Sequence, residues 1–207
     1  MDGSPRFRAV LFDFDGTLTH PDALDFPALR AALGCPPGTL ILEYIDALPT
    51  EAERVGKRNI LAAFELAAAR ASVPNDGAEE TVLALRRGGI RVGILTRNTR
   101  SSVLTSLANF RRVGEKDFQV IVTRESGGRP KPHPDGVLAA AKELGVDPAQ
   151  MIMVGDFVFD IAAGSAAGAA TVLLTNGRGS TGPTVPLAAT PDYTIRSLAE
   201  LGFILGL

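Results

Sequence analysis

A doubly wound α/β layer built on a parallel sheet, with a small α-helical insertion after the first strand, is the fold that this sequence predicts. Three observations carry that expectation. Short apolar runs recur along the chain at RAVLFDF (8–14), RVGILT (91–96), FQVIVT (118–123), MIMVGD (151–156) and ATVLLT (170–175). They are continuous rather than alternating, which is the pattern of strands buried on both faces of a parallel sheet. Helical stretches separate most of them, and repeated β–α alternation implies right-handed crossovers and helices on both faces. Only residues 20–76 break the rhythm, with no convincing strand where a simple crossover needs about a dozen residues.

The elements follow in order. The first run ends in Asp13-Phe14-Asp15-Gly16-Thr17. Within the insertion, residues 25–33 and 38–48 read as helices. Thr50 and Glu53 form a capping box that opens a long third helix, reaching about Ser72 before Pro74 stops it. Asp76 and Glu79 have the same spacing before TVLALRR, which stops at Gly88–Gly89. Pro134 opens a helix that ends near Gly145, and Ser197 with Glu200 boxes a short terminal helix. The Gly/Pro/Thr-rich stretch 176–191 reads as a surface loop before a last short strand at Tyr193–Ile195. Residues 1–19 and 77–207 are thus expected to form the α/β core domain, and 20–76 a helical cap subdomain.

Composition narrows the function. The chain has 207 residues, 45% hydrophobic and 21% charged, which is enough for one globular domain with a modest insertion. Its 21 Lys+Arg are matched by 23 Asp+Glu, so it lacks the basic field that nucleic-acid binding normally requires. No segment reaches about 18 consecutive apolar residues, so no membrane partner is expected. Cys35 is the single cysteine and can form no intramolecular disulfide. Together these read as a cytoplasmic protein.

Open parallel sheets bind ligands beyond the carboxyl ends of their strands, and this sequence concentrates carboxylates there. Asp13 and Asp15 follow the first strand, Asp156 ends the fourth, and Asp160 comes shortly after it. Carboxylates gathered at one edge repel unless a cation joins them, and hard oxygen ligands suit Mg²⁺. Thr96 ends the second strand. Lys131, one of four lysines beside 17 arginines, sits between two prolines in the loop after the third.

The order DFDGT, a strand-end Thr, a Lys-Pro and then GDxxxD resembles the haloacid dehalogenase superfamily of phosphohydrolases, over about residues 8–177. Any one piece alone also fits a turn, a cap or a solvated loop; the ordered set gives the resemblance its weight. The insertion resembles the helical cap of the phosphoglycolate phosphatase and β-phosphoglucomutase-like branch, and the core its Rossmann-like layer. The resemblance implies a Mg²⁺-dependent phosphatase acting on a small-molecule phosphate ester, phosphoglycolate-like or a sugar phosphate, through an aspartyl-phosphate. Asp13 would be the nucleophile and Asp15 the general acid. Mg²⁺ would be held by Asp13, the Asp15 carbonyl and Asp156. Thr96, the Arg97 amide and Lys131 would hold the phosphoryl group, with Asp160 in support. Such a division of labour is expected chemically, because phosphate monoester hydrolysis needs up to ~10²¹-fold acceleration and no single group supplies it.

The sequence departs from the family pattern in two motifs. Phe157 stands where Ser or Thr is frequent, and with Phe159 it puts apolar surface near the metal site; Arg97 and Asn98 follow the strand-end Thr. A phosphosugar mutase would use the same core residues, and a non-catalytic phosphate- or partner-binding module could keep the fold. On the third helix of the insertion, Arg54, Lys57 and Arg58 share a face. That face reads as solvated, with Glu53 placed to pair with Lys57, or alternatively as a site for a second anionic group of the substrate.

Overall fold

β1 (Ala9–Phe12) runs through the middle of a six-stranded sheet whose strands are all parallel. In the computed structural model, which describes residues 6–177 and 189–206, the others are β2 (Arg91–Leu95), β3 (Val120–Val122), β4 (Met151–Gly155), β5 (Ala170–Leu174) and β6 (Tyr193–Ile195). Their spatial order is β3-β2-β1-β4-β5-β6. The order reverses beside β1, which lies between β2 and β4, with Phe12 in register with Ile94 and Val154. That reversal opens a crevice at the carboxyl end of β1.

Each strand splits its side chains between two cores, as a period of two requires. Val10 and Phe12 of β1 join Val92, Ile94, Ile152 and Val154 on one face, covered by α4 (Ala78–Arg87), α5 (Arg100–Leu107) and α8 (Leu201–Leu205). Ala9 and Leu11 join Met151 and Met153 on the other, covered by α6 (Asp135–Leu144) and α7 (Val158–Ala167). Burial on both faces explains why the strands are apolar throughout rather than alternating.

Three helices fill the interval after β1: α1 (Phe26–Leu33), α2 (Ile41–Asp46) and α3 (Glu51–Ala71). Asp25 caps α1 by accepting from the Ala28 amide, and Gly34 ends it in the left-handed conformation. The Thr50–Glu53 capping box opens α3 as its spacing predicts, a feature worth about 1 kcal/mol. The three helices pack a small core of their own around Leu29, Leu33, Cys35, Ile45 and Leu61. The chain leaves the sheet at Thr19 and returns at Pro74, and these two form an isolated antiparallel bridge. Flanking it, His20 N–H donates to the Val73 carbonyl at 2.9 Å and Asn75 N–H to that of Leu18 at 2.8 Å. No helix among the described residues is long and apolar enough to cross a membrane.

Local expectations fail in two places. The Asp76–Glu79 box does not form; Gly77 occupies the N-cap of α4 without a side-chain cap. Glu79 instead accepts the amides of Arg112 and Val113, at 2.5 and 3.1 Å, in the loop after α5. Leaving such amides unpaired is costly, and Glu79 satisfies both of them. On α3, Glu53 turns back to Thr50, so it does not pair with Lys57. Most of the loop expected over 176–191 lies outside the described residues.

Candidate active site

Two glycines let the carboxylates gather at the end of β1. Beyond Phe12, the Asp13 amide still donates to the Val154 carbonyl at 2.8 Å, so Asp13 is fixed by the β1–β4 ladder. Gly16 follows at φ +77°, and a Cβ there would lie 2.3 Å from a carboxylate oxygen of Asp156. A Cβ on Gly155 would lie 2.2 Å from the Asp160 carboxyl group. Only glycine at both positions lets these acids approach the backbone of β1 and β4 so closely.

Lys131 is the hub. Its buried ammonium donates to Asp13 Oδ1 at 2.5 Å, Asp160 Oδ1 at 2.6 Å and the Leu95 carbonyl at 2.9 Å. Those three acceptors match the three donors of an ammonium group. Burial opposes its charge, but the Asp13 and Asp160 carboxylates outweigh that and push its pKa above the usual lysine value. Asp160 is raised to about 6, chiefly by burial, with Lys131 pulling the other way. Its second oxygen accepts the Phe157 amide at 3.1 Å, so both oxygens of Asp160 are committed. Asp156 is raised to about 8 by burial and by the charges of Asp13 and Asp160.

Asp15 is placed differently. Its side chain opens into a cavity beneath α1–α3, where the Asn98 side-chain amide donates to Oδ2 at 3.0 Å. The cavity walls strip water from it, and the Asp13 charge adds to that effect. Together they raise its carboxyl to about 7. The negative charge of Glu65 works in the same direction. Thr96, at the end of β2, is buried and its hydroxyl oxygen accepts the Asn98 amide at 3.1 Å. The structure therefore brings Asp13, Asp15, Thr96, Arg97, Lys131, Asp156 and Asp160 to one cavity.

For a metal ion, Asp13, Asp156 and Asp160 each turn one carboxylate oxygen to within 4.8 Å of the others. Because Asp160 is already engaged by Lys131 and the Phe157 amide, Asp13 and Asp156 are the side chains placed to share a cation. Two hard oxygens that repel each other when both are charged suit Mg²⁺. The Asp15 carboxyl is turned toward Asn98, so any part Asp15 takes in such a site falls to its carbonyl.

Sequence reading missed several contacts across the cavity. Arg97 of the loop after β2 pairs with Glu43 of α2 at 2.6 Å and lies over the Phe159 ring at 5.2 Å. Its Nε is buried without a hydrogen-bond partner. Arg124 holds both oxygens of Glu65 on α3, at 3.0 and 2.9 Å. Burial raises the Glu65 carboxyl, with Arg124 opposing. Phe157 and Phe159 meet edge to face, 4.9 Å between centroids. The basic face of α3 does not take part: Arg54 binds Glu51 and the Leu48 carbonyl, and Arg58 binds Asp46. These pairs lie outside the cavity, so the second-anion alternative for Arg54 and Arg58 is withdrawn.

Residues 7–168 match the model of the haloacid dehalogenase-like hydrolases. The chain belongs to this family. Within the family it is similar to the uncharacterized hydrolase YOR131C of Saccharomyces cerevisiae, 39% identical over 178 residues, which cover 85% of this chain and 81% of that one. It is 30% identical to the N-acetylmuramic acid 6-phosphate phosphatase of Pseudomonas aeruginosa over 83% of each chain. Among solved structures, CbbY from Rhodobacter sphaeroides in complex with phosphate superposes with a TM-score of 0.71 at 24% identity, covering 97% of this chain and all of the other. A hydrolase from Pseudomonas syringae gives 0.75 at 21% identity, over 95% and 97% of the two chains. At such identities the structural matches speak for the fold alone. With its relatives and its acidic cluster, this haloacid dehalogenase-like chain is a phosphoric monoester hydrolase.

Proposed function

We propose that the chain is a Mg²⁺-dependent phosphatase that hydrolyses a small phosphorylated metabolite through an aspartyl-phosphate on Asp13. The observation that carries this reading is the buried Lys131 ammonium clamped between Asp13 and Asp160 at the carboxyl end of the sheet. It holds a nucleophilic carboxylate in a fixed orientation and offers positive charge where phosphoryl oxygens would gather.

The step runs as follows. The free oxygen of Asp13 attacks phosphorus, and the bond from phosphorus to the ester oxygen breaks. Asp15, whose carboxyl holds a proton up to about pH 7, gives that proton to the leaving oxygen. Water then attacks the phosphoryl group, its proton goes to Asp15, and the bond to Asp13 breaks. Thr96 and the Arg97 amide hold the phosphoryl oxygens and Lys131 attracts them by its charge, while Asp160 and Asn98 keep Lys131 and Asp15 in position. Mg²⁺, held by Asp13, Asp156 and the Asp15 carbonyl, would neutralise charge on the nucleophile and the phosphoryl oxygens. Residues 20–76 act as a cap over this site, with α1–α3 forming its roof.

The test is Asp13→Asn. The amide is neutral and a poor nucleophile, so phosphate release should fall by at least 10³-fold while thermal melting shows a folded protein. Near-normal activity in a folded Asp13→Asn protein would remove the mechanism.

A further inference from the structure

Two side-chain amides that do not line the cavity over the carboxylates hold the loop that carries Asp13 and Asp15. Asn75 follows the Pro74 bridge at the end of the insertion, and Asn176 comes shortly after β5. Both line a smaller, adjoining cavity of about 210 Å³.

Asn176 Nδ2 donates to the Gly16 carbonyl at 2.8 Å. Asn75 Nδ2 donates to the Thr17 carbonyl and to Asn176 Oδ1, both at 2.9 Å, which links the two amides. The Asn75 backbone amide donates to the Leu18 carbonyl at 2.8 Å. Gly16 needs a donor and Asn75 Nδ2 an acceptor, so the orientation of the Asn176 side chain follows from its partners. Three consecutive carbonyls, those of Gly16, Thr17 and Leu18, are thus held by two residues.

The start of the same loop is held from within. The Phe14 carbonyl accepts the amides of Thr17, Leu18 and Thr19 at 3.3, 2.9 and 2.9 Å. Of the five carbonyls from Phe14 to Leu18, that of Asp15 alone has no hydrogen-bond donor among the described residues. It is also the carbonyl that the phosphatase reading gives to the cation. Gly16, next to it, is pressed against Asp156, since a Cβ there would lie 2.3 Å from Asp156 Oδ2. A small drift of the Gly16 peptide would therefore change the spacing between Asp15 and Asp156.

We propose, resting on the phosphatase reading, that Asn75 and Asn176 are positioning residues for the Mg²⁺ site. Their linked amides hold the Gly16–Leu18 carbonyls and so fix the Asp15 carbonyl relative to Asp13 and Asp156. A loop already held in this way binds a cation without first being ordered, a cost that would otherwise be subtracted from the affinity. Because the amides bond each other, they act as one unit, and loss of either loosens the same loop.

Calorimetric titration of the ester-free enzyme with Mg²⁺ tests this independently of turnover. Asn176→Gly removes the side chain and suits the φ of +52° at this position. Asn75→Ser keeps an acceptor for the Asp76 amide, which Asn75 Oδ1 accepts at 2.9 Å, but cannot reach Thr17 and Asn176 together. Each variant should raise the Kd for Mg²⁺ at least fivefold, and the double variant should stay within twofold of the weaker-binding single, because the pair is coupled. A Kd within twofold of the parent's in Asn176→Gly, or single effects that multiply in the double variant, overturns the proposal. So does a lower Tm without metal alongside an unchanged Kd, which marks the amides as a support of the fold alone. Absence of Mg²⁺ binding by the parent would instead remove the metal from the phosphatase reading, and this inference with it.

Discussion

Replacing Lys131 with methionine keeps most of the length and the apolar stem of the side chain while deleting its charge. In the folded protein the ammonium lies 2.5 Å from Asp13 and 2.6 Å from Asp160, and the side chain is 4% exposed. At an effective dielectric of about 20, each contact represents about 6 kcal/mol of gross attraction, most of it offset by the cost of burying the charges. Removing one partner of such a cluster leaves carboxylates buried and uncompensated, which typically costs about 3–5 kcal/mol. Asp160 escapes part of that cost by binding a proton. In the parent protein burial already raises it to about 6 against the pull of Lys131, and without that pull it rises further. A carboxyl raised on folding favours the native state at low pH, and that advantage is lost as pH climbs from the unfolded value near 3.8 through the folded one. Urea unfolding of Lys131→Met without metal should therefore show a loss of about 3 kcal/mol or more at pH 8 and a clearly smaller loss at pH 5. Adding Asp160→Asn should recover part of the pH 8 loss, because the pair then couples. A loss below 1 kcal/mol, or one equal at both pH values, would refute the idea that Lys131 is held by charge.

Further outcomes follow from the same site. Asp15→Asn should retain much of its activity on an activated aryl phosphate but lose most alkyl phosphate hydrolysis. With alkyl esters the parent kcat should fall above pH 7, where Asp15 loses its proton; equal losses on both ester types would take the acid role from Asp15. Activity should vanish with EDTA and return with Mg²⁺ but poorly with Ca²⁺, and Asp156→Ala should raise the Mg²⁺ requirement at least tenfold; an unchanged titration would take Asp156 out of the metal site.

What the sequence made legible was local chemistry. Strands buried on both faces betray themselves as apolar runs, so the sheet could be read nearly residue by residue, and strand ends in a parallel sheet converge, so Asp13, Thr96 and Asp156 could be placed together. What stayed hidden depends on contacts between residues far apart in the chain. Arg97 meets Glu43 and Arg124 meets Glu65 across separations of 54 and 59 residues, and Asn98 reaches Asp15 across 83. No spacing rule encodes such pairs. The Asp76–Glu79 spacing misled for the same reason, since the amides that claim Glu79 lie 33 and 34 residues away.

The bridge between Thr19 and Pro74 gives the helical insertion a property of its own. Because its two ends meet as neighbours, the sheet spans no gap on its account, and the insertion is in effect a closed loop hung from one point. Closing such a loop costs only about 0.6 kcal/mol more for each doubling of its length. Helices can thus be lengthened, added or exchanged between these two residues at almost no expense to the layer below. The carboxylates at the strand ends are held by the sheet, so the chamber above them can change shape without moving any of them.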